Sequence, residues 1–253
     1  MFVDSHCHLS IDDYDDIDQV INNAKEAGVK YLVVSGYDKK SIEEVIELAN
    51  KYDNIYLTLG FHPSEANITN KDDLDYLKEI AKSNKKVIGI GEIGLDYHWE
   101  KDNKEKQKNL FIKQIEIAKE LNLPVVIHSR DAFQDTYDIL KQANHRGVIH
   151  CFSGNKENAK MYSSIGYYFG IGGVLTFKNS NLGETVKEIS IDRILLETDS
   201  PYLAPTPHRG EKNEPKYIPL IAEDLAKKLN MNLEDLSVKI NENISEIFDI
   251  KLD

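Results

Sequence analysis

The most constraining feature of this chain is an alternation. A short apolar run with a polar end is followed by a stretch of helical spacing, and the unit recurs eight times. The apolar runs are Phe2–Val3, Tyr31–Val34, Ile55–Leu59, Val87–Ile90, Val125–Ile127, Val148–Ile149, Tyr167–Ile171 and Ile194–Leu196. Helical spacing is seen at Ile17, Val20, Ile21 and Ala24 before Gly28, and at Ile42, Val45, Ile46 and Ala49. The longest such stretch is Leu110–Leu121, and Pro124 opens the next run. Short apolar runs alternating with amphipathic helices predict parallel strands joined by helical crossovers. Eight units predict an α/β fold of the (β/α)8 TIM-barrel type rather than an open sheet.

At 253 residues the chain has a common length for one such barrel, and a single domain spanning 1–253 is expected. The texture changes after the eighth run: five of the seven prolines lie at or beyond Pro201, and Pro201–Pro215 reads as an irregular loop. Two helical stretches follow, Tyr217–Leu229 and Leu233–Phe248, the second with Asn232 as its N-cap. These helices, within 217–248, are expected to pack around the barrel. The composition, 41% hydrophobic and 29% charged, is that of an ordinary globular protein. No apolar run reaches the roughly 18 residues of a membrane span, and no signal-peptide pattern opens the chain. With Cys7 and Cys151 as the only cysteines, a disulfide scaffold is excluded and a reducing cytoplasm is the expected location. The net charge of −12 argues against a broad, non-specific nucleic-acid surface, which needs a basic face. It leaves room for a local site that takes one or two phosphates.

The chemistry stands at the ends of the runs. The first ends in Asp4-Ser5-His6-Cys7-His8, where strand alternation puts His6 and His8 on one face and Cys7 on the other. The third ends in Gly60-Phe61-His62, the fourth in Gly91-Glu92, the fifth in His128, the sixth in His150 and the eighth in Glu197-Thr198-Asp199. In a parallel barrel these ends share the face that carries active sites. The donors are imidazole nitrogen and carboxylate oxygen, a set that suits zinc, manganese or iron, with magnesium where fewer histidines engage. One ion would not use His6, His8, Glu92, His128, His150 and Asp199 together. Two divalent ions about 3.5–4 Å apart would, with one carboxylate bridging, and Glu92 is the choice for the bridge.

The motifs Asp4-Ser5-His6-Cys7-His8, Gly60-Phe61-His62-Pro63, Gly89-Ile90-Gly91-Glu92-Ile93-Gly94-Leu95-Asp96-Tyr97, Ile127-His128-Ser129-Arg130, His150-Cys151-Phe152-Ser153-Gly154 and Glu197-Thr198-Asp199-Ser200-Pro201-Tyr202 together resemble the TatD family of metal-dependent deoxyribonucleases. Pro205-Thr206-Pro207-His208-Arg209-Gly210 and Asn213-Glu214-Pro215 match that family's loop after strand eight. The resemblance covers essentially the whole chain. It implies an amidohydrolase-type TIM barrel and hydrolysis of phosphodiester bonds in DNA. It further implies that His6, His8, Glu92 and Asp199 hold one metal, and that Glu92, His128 and His150 hold the other.

His62, restricted by the following Pro63, is read as a phosphate contact or an extra metal position. Arg209, in the proline-rich loop, and Arg130, close after His128, are either phosphate clamps or solvated charges. Asp96 either steers a ligand histidine or caps the loop. Tyr97, Trp99, Phe152 and Tyr202 either stack on a base or, as the favoured reading, pack in the core or rim, and His145 is read as a surface residue. The reading that follows is a two-metal phosphodiesterase acting on DNA, a 3′-to-5′ exonuclease or related deoxyribonuclease. Glu92 and Asp199 would be catalytic, with Asp199 as ligand and general base. His62, Arg130 and Arg209 would bind the substrate. Neither a membrane nor an obligate protein partner is implied. The rivals are a metal-dependent ester or amide hydrolase, dihydroorotase-like or deacylating aminoacyl-tRNA, and a non-catalytic metal-binding scaffold.

Overall fold

The computed structural model describes residues 1–99 and 101–252. Its strands are β1 (Phe2–Cys7), β2 (Val29–Gly36), β3 (Ile55–Leu59), β4 (Val87–Asp96), β5 (Val125–Arg130), β6 (Gly147–Ile149), β7 (Tyr168–Ile171) and β8 (Ile194–Leu196). They form one eight-stranded sheet in chain order, with parallel pairing between β1 and β2, along β3 to β6, and between β7 and β8. The two ends of the sheet also adjoin. The Asp199 N–H donates to the His6 carbonyl at 3.0 Å, and the His8 N–H donates to the Ser200 carbonyl at 2.7 Å. A sequential parallel sheet whose first and last strands adjoin is a (β/α)8 barrel.

The helices are α1 (Ile17–Glu26), α2 (Lys39–Lys51), α3 (Lys71–Ser83), α4 (Lys104–Leu121), α5 (Phe133–Ala143), α6 (Lys156–Ser164), the short α7 (Leu182–Thr185), α8 (Ile218–Leu229) and α9 (Leu233–Phe248). Side-chain caps set several starts. Asp16 accepts from the Gln19 N–H at 2.9 Å. Asp38 forms a capping box with Ser41, and Asn232 accepts from the Glu234 N–H at 2.8 Å, each satisfying a donor that the first turn leaves unpaired. Contacts cluster into two compact units, Met1–Val34 with His150 onward, and Ser35–Ile149.

In the first unit, Leu236, Ile240, Ile244 and Ile247 of α9 are buried on one helical face. Each such side chain contributes roughly 1.5–3 kcal/mol by leaving water. The same helix holds the starts of two strands: Ser237 Oγ donates to the Met1 carbonyl at 2.8 Å, and Asn243 Nδ2 to the Ile194 carbonyl at 2.8 Å.

In the second unit, β4 continues to Asp96 instead of stopping at Ile90, and every one of its positions is buried. Strand β5 likewise runs on to Arg130. Glu92 and His128 therefore stand within strands, not beyond their ends. With both faces covered there is no alternation of polar and apolar residues to mark the length of β4. Glycine permits the close pairing: Gly94 has φ +144°, and a Cβ there would overlap the His128 carbonyl oxygen. Two buried glutamines of α4 then tie down the strand exits. Gln114 Oε1 accepts from the Phe61 N–H at 2.7 Å, and Gln107 Oε1 from the Asp96 N–H at 2.9 Å.

Candidate metal centre

The first unit brings together three of the expected donors. His6 lies in β1 and His8 just past it, and their Nε2 atoms are 3.3 Å apart. Asp199 Oδ1 is 3.7 Å from each of these nitrogens. All three residues are buried, at 1%, 6% and 9% exposure. Two nitrogens bound to one zinc ion at about 2.0–2.1 Å lie roughly 3.3 Å from each other. A single shared proton joins only two of three converging lone-pair atoms, whereas a divalent cation takes all three. The donor set therefore fits a metal. Cys7 points away, its Sγ toward the Val33 carbonyl at 3.6 Å, as strand alternation requires.

Asp199 is held in place from several sides. Its φ of 54° is left-handed, a conformation that Asp tolerates better than most residues. Asn213, fully buried, donates through Nδ2 to the carbonyls of Thr198 at 2.8 Å and Tyr202 at 2.6 Å, one on each side of Asp199. Asp4 is buried behind the histidines and accepts from the Thr198 N–H at 3.0 Å, the Thr198 hydroxyl at 2.5 Å and the His6 N–H at 3.2 Å. Burial is the dominant influence on its carboxyl and pushes the pKa up to about 7, against the lowering effect of those hydrogen bonds.

His150 follows β6. Its ring lies 4.2 Å from that of His6, and His6, His150 and Asp199 together offer donor atoms within 4.8 Å of one another. Glu197, with no exposed surface, reaches toward His150: its Oε1 is 3.8 Å from Nδ1 and also accepts from the Cys151 N–H. A Cβ at Gly170 would occupy the space of this carboxylate. The sequence reading assigned no role to Glu197, Asp4 or Asn213. Their signal was their place within the quoted motifs, where nothing local distinguishes a supporting polar residue from a donor.

In the second unit His128 sits between two carboxylates. Its Nδ1 is 2.8 Å from Glu92 Oε1 and its Nε2 3.0 Å from Asp96 Oδ2. Burial lowers the imidazole pKa, but hydrogen bonds to Asp96 and Glu92 outweigh it and raise the value to about 9. Burial also opposes ionisation of Asp96, and the His128 contact together with the N–H groups of His98 and Trp99 brings its pKa down to about 2. Asp96 thus makes the contact of a steering carboxylate, holding Nε2 and directing Nδ1 toward Glu92. His62 has its ring 4.6 Å from that of His128 and its Nε2 3.9 Å from Glu92 Oε1. Its Nδ1 accepts from the Ser64 N–H at 3.1 Å, so in the neutral ring Nε2 carries the proton. His62 is then a hydrogen-bond donor at this end, and His62, Asp96 and His128 also offer donor atoms within 4.8 Å of one another.

The two arginines are exposed and engaged with rings. The Arg130 guanidinium lies 5.5 Å over Trp99, and that of Arg209 lies 3.5 Å over Phe177. Tyr202, half exposed, has its ring 6.3 Å from His8, while Phe152 packs against Phe169 in the core. His145, read from sequence as a surface residue, is half-buried and bonds through Nε2 to the Leu123 carbonyl at 2.7 Å.

Residues 3–249 match the model of the TatD related DNase family. The chain is 44% identical over 236 residues to the uncharacterized metal-dependent hydrolase YabD of Bacillus subtilis, covering 91% of this chain and 92% of that protein. It is 35% identical over 240 residues to the human deoxyribonuclease TATDN3, covering 89% and 86%. Among solved structures it superposes on the Escherichia coli TatD homologue YJJV with a TM-score of 0.92, at 27% identity and over 99% and 98% of the two chains. A chain matched almost end to end by the family's model, its relatives and its fold is a member of the TatD family.

Proposed function

We propose that this protein is a metal-dependent hydrolase of DNA phosphodiester bonds, removing nucleotides from a 3′ end. The observation that carries the reading is the buried convergence of His6, His8 and Asp199 on one point. The naming of human TATDN3 as a deoxyribonuclease supports the choice of bond. In this reading His6, His8, Glu92 and Asp199 would hold one divalent ion, and Glu92, His128 and His150 would hold the other. Bound there, divalent ions would supply a more acidic water and positive charge toward the phosphoryl oxygens.

The chain's own residues do the rest. Asp199 accepts the proton of the attacking water through its carboxylate. The water oxygen bonds to phosphorus, the bond from phosphorus to the 3′ oxygen breaks, and that oxygen takes a proton from solvent and leaves as a hydroxyl. The products are a nucleoside 5′-monophosphate and a shortened strand. His62, donating through Nε2, and Arg209 stabilise the negative charge that grows on the phosphate, and Arg130 contacts the strand beyond it. Asp96 keeps His128 in its ligand tautomer.

The test is incubation of the purified, metal-reconstituted protein with end-labelled single- and double-stranded DNA. The expected result is release of mononucleotides from the 3′ end. Hydrolysis of carboxylic esters or amides with intact DNA would instead support the carbonyl-hydrolase reading.

A further inference from the structure

A cavity of about 760 Å³ opens within the first unit, among Ser153–Asn155, Val174, Phe177–Leu182, Thr206 and Arg209. None of the metal donors lines it. Its segments nevertheless continue directly from His150 and Asp199. The Thr206 N–H donates to Thr176 Oγ1 at 2.8 Å, fastening the loop after β8 to the loop after β7. The volume exceeds what a lone phosphate needs and lies within the roughly 300–1,000 Å³ of sites for small organic ligands.

The charge of the lining is unusual for this chain. The protein carries a net charge of −12, yet the lining contains two cationic side chains, Lys178 and Arg209, and no carboxylate. The Arg209 guanidinium carbon lies 3.5 Å from the centre of the Phe177 ring. A guanidinium is planar, and its fork of donors takes two oxygens of one phosphate. Asn179 and Asn181 add amides that both donate and accept, the chemistry that meets the edge of a base.

We propose that this cavity is a subsite for one nucleotide unit of the substrate strand, with its phosphate taken by Lys178, its base beside the two asparagines, and Arg209 on its wall shared between this phosphate and the attacked one. The assignment rests on the nuclease reading above for the identity of the strand.

The test is calorimetric titration of the metal-loaded full chain with thymidine 5′-monophosphate. Lys178→Ala and Arg209→Ala should each weaken binding about tenfold, the worth of one charge-assisted hydrogen bond. Lys178→Arg should keep most of the affinity, and Lys178→Glu should lose more than the alanine variant. Lys178 is exposed, so these changes leave the fold intact, which circular dichroism checks. Wild-type affinity in both Lys178→Ala and Arg209→Ala would overturn the subsite, because the mononucleotide would then be held elsewhere. Hydrolysis of bis(p-nitrophenyl) phosphate by the same preparation reports on the nuclease reading separately. A protein that hydrolyses it but shows no variant effect on nucleotide binding keeps the reading and loses the subsite.

Discussion

The donor clusters of the two units are built on different principles. In the first unit, His6, His8 and Asp199 face one another at 3.3–3.7 Å, spaced as ligands around a cation. In the second, His128 lies within 2.8 Å of Glu92 and 3.0 Å of Asp96, spaced as partners of a shared proton. In the first cluster three lone-pair atoms face one another, and in the second both ring nitrogens of one imidazole face carboxylates. A metal arriving at His128 must therefore displace a proton that two carboxylates stabilise, which makes its affinity there dependent on pH.

The sharpest way to break the comparison is to remove the metals. Chelation should abolish hydrolysis while far-UV circular dichroism stays native, since the cores of both units are apolar. Full activity with no divalent ion found by elemental analysis would end the metal reading for both clusters. Next in size is Asp199→Asn, which keeps the shape but neither accepts a proton nor offsets the ion's charge. It should lower kcat by at least about a hundredfold with some metal retained. A near-normal kcat at full metal occupancy would move the base to another group.

Asp96→Asn probes the second unit. Losing the carboxylate that holds Nε2 of His128 should weaken one of two metal-binding steps by about 10–100-fold, read by competition with a chelating dye. Equal weakening of both steps, or of neither, would show that the clusters are not distinct in this way.

The smallest effect is on stability in the metal-free protein. The folded pKa of His128 is raised from 6.5 to about 9, so its contribution is complete below pH 6.5 and is lost as pH rises through about 9. Asp4, raised from 3.8 to about 7, loses its contribution over a lower window, as pH rises through about 7. The range from about pH 7.5 to 9 thus isolates His128. There the melting temperature should fall with pH in the wild type and be flatter in Asp96→Asn. Parallel slopes in the two proteins would remove the shared-proton description.

Local periodicity is what the chain spells out without its fold. The repeat of apolar run and amphipathic stretch specifies strands, helices and their order. The spacing of two residues places His6 and His8 together and turns Cys7 away, and Asn232 before an apolar helix marks its start. The tertiary structure alone decided which atom of each polar residue meets which neighbour. Nothing near His128 in the chain says that Asp96, 32 residues earlier, takes its Nε2, or that Asp4 pairs with Thr198 across 194 residues. The proton position on His62 follows from the Ser64 N–H, and the Arg209 guanidinium meets the Phe177 ring, 32 residues earlier in the chain, at 3.5 Å. The extension of β4 to Asp96 was hidden for a related reason: a strand covered on both faces has no alternation to read. Periodicity records which side of an element is buried. Tautomer, rotamer and hydrogen-bond partner are settled only when strands distant in the chain pack side by side.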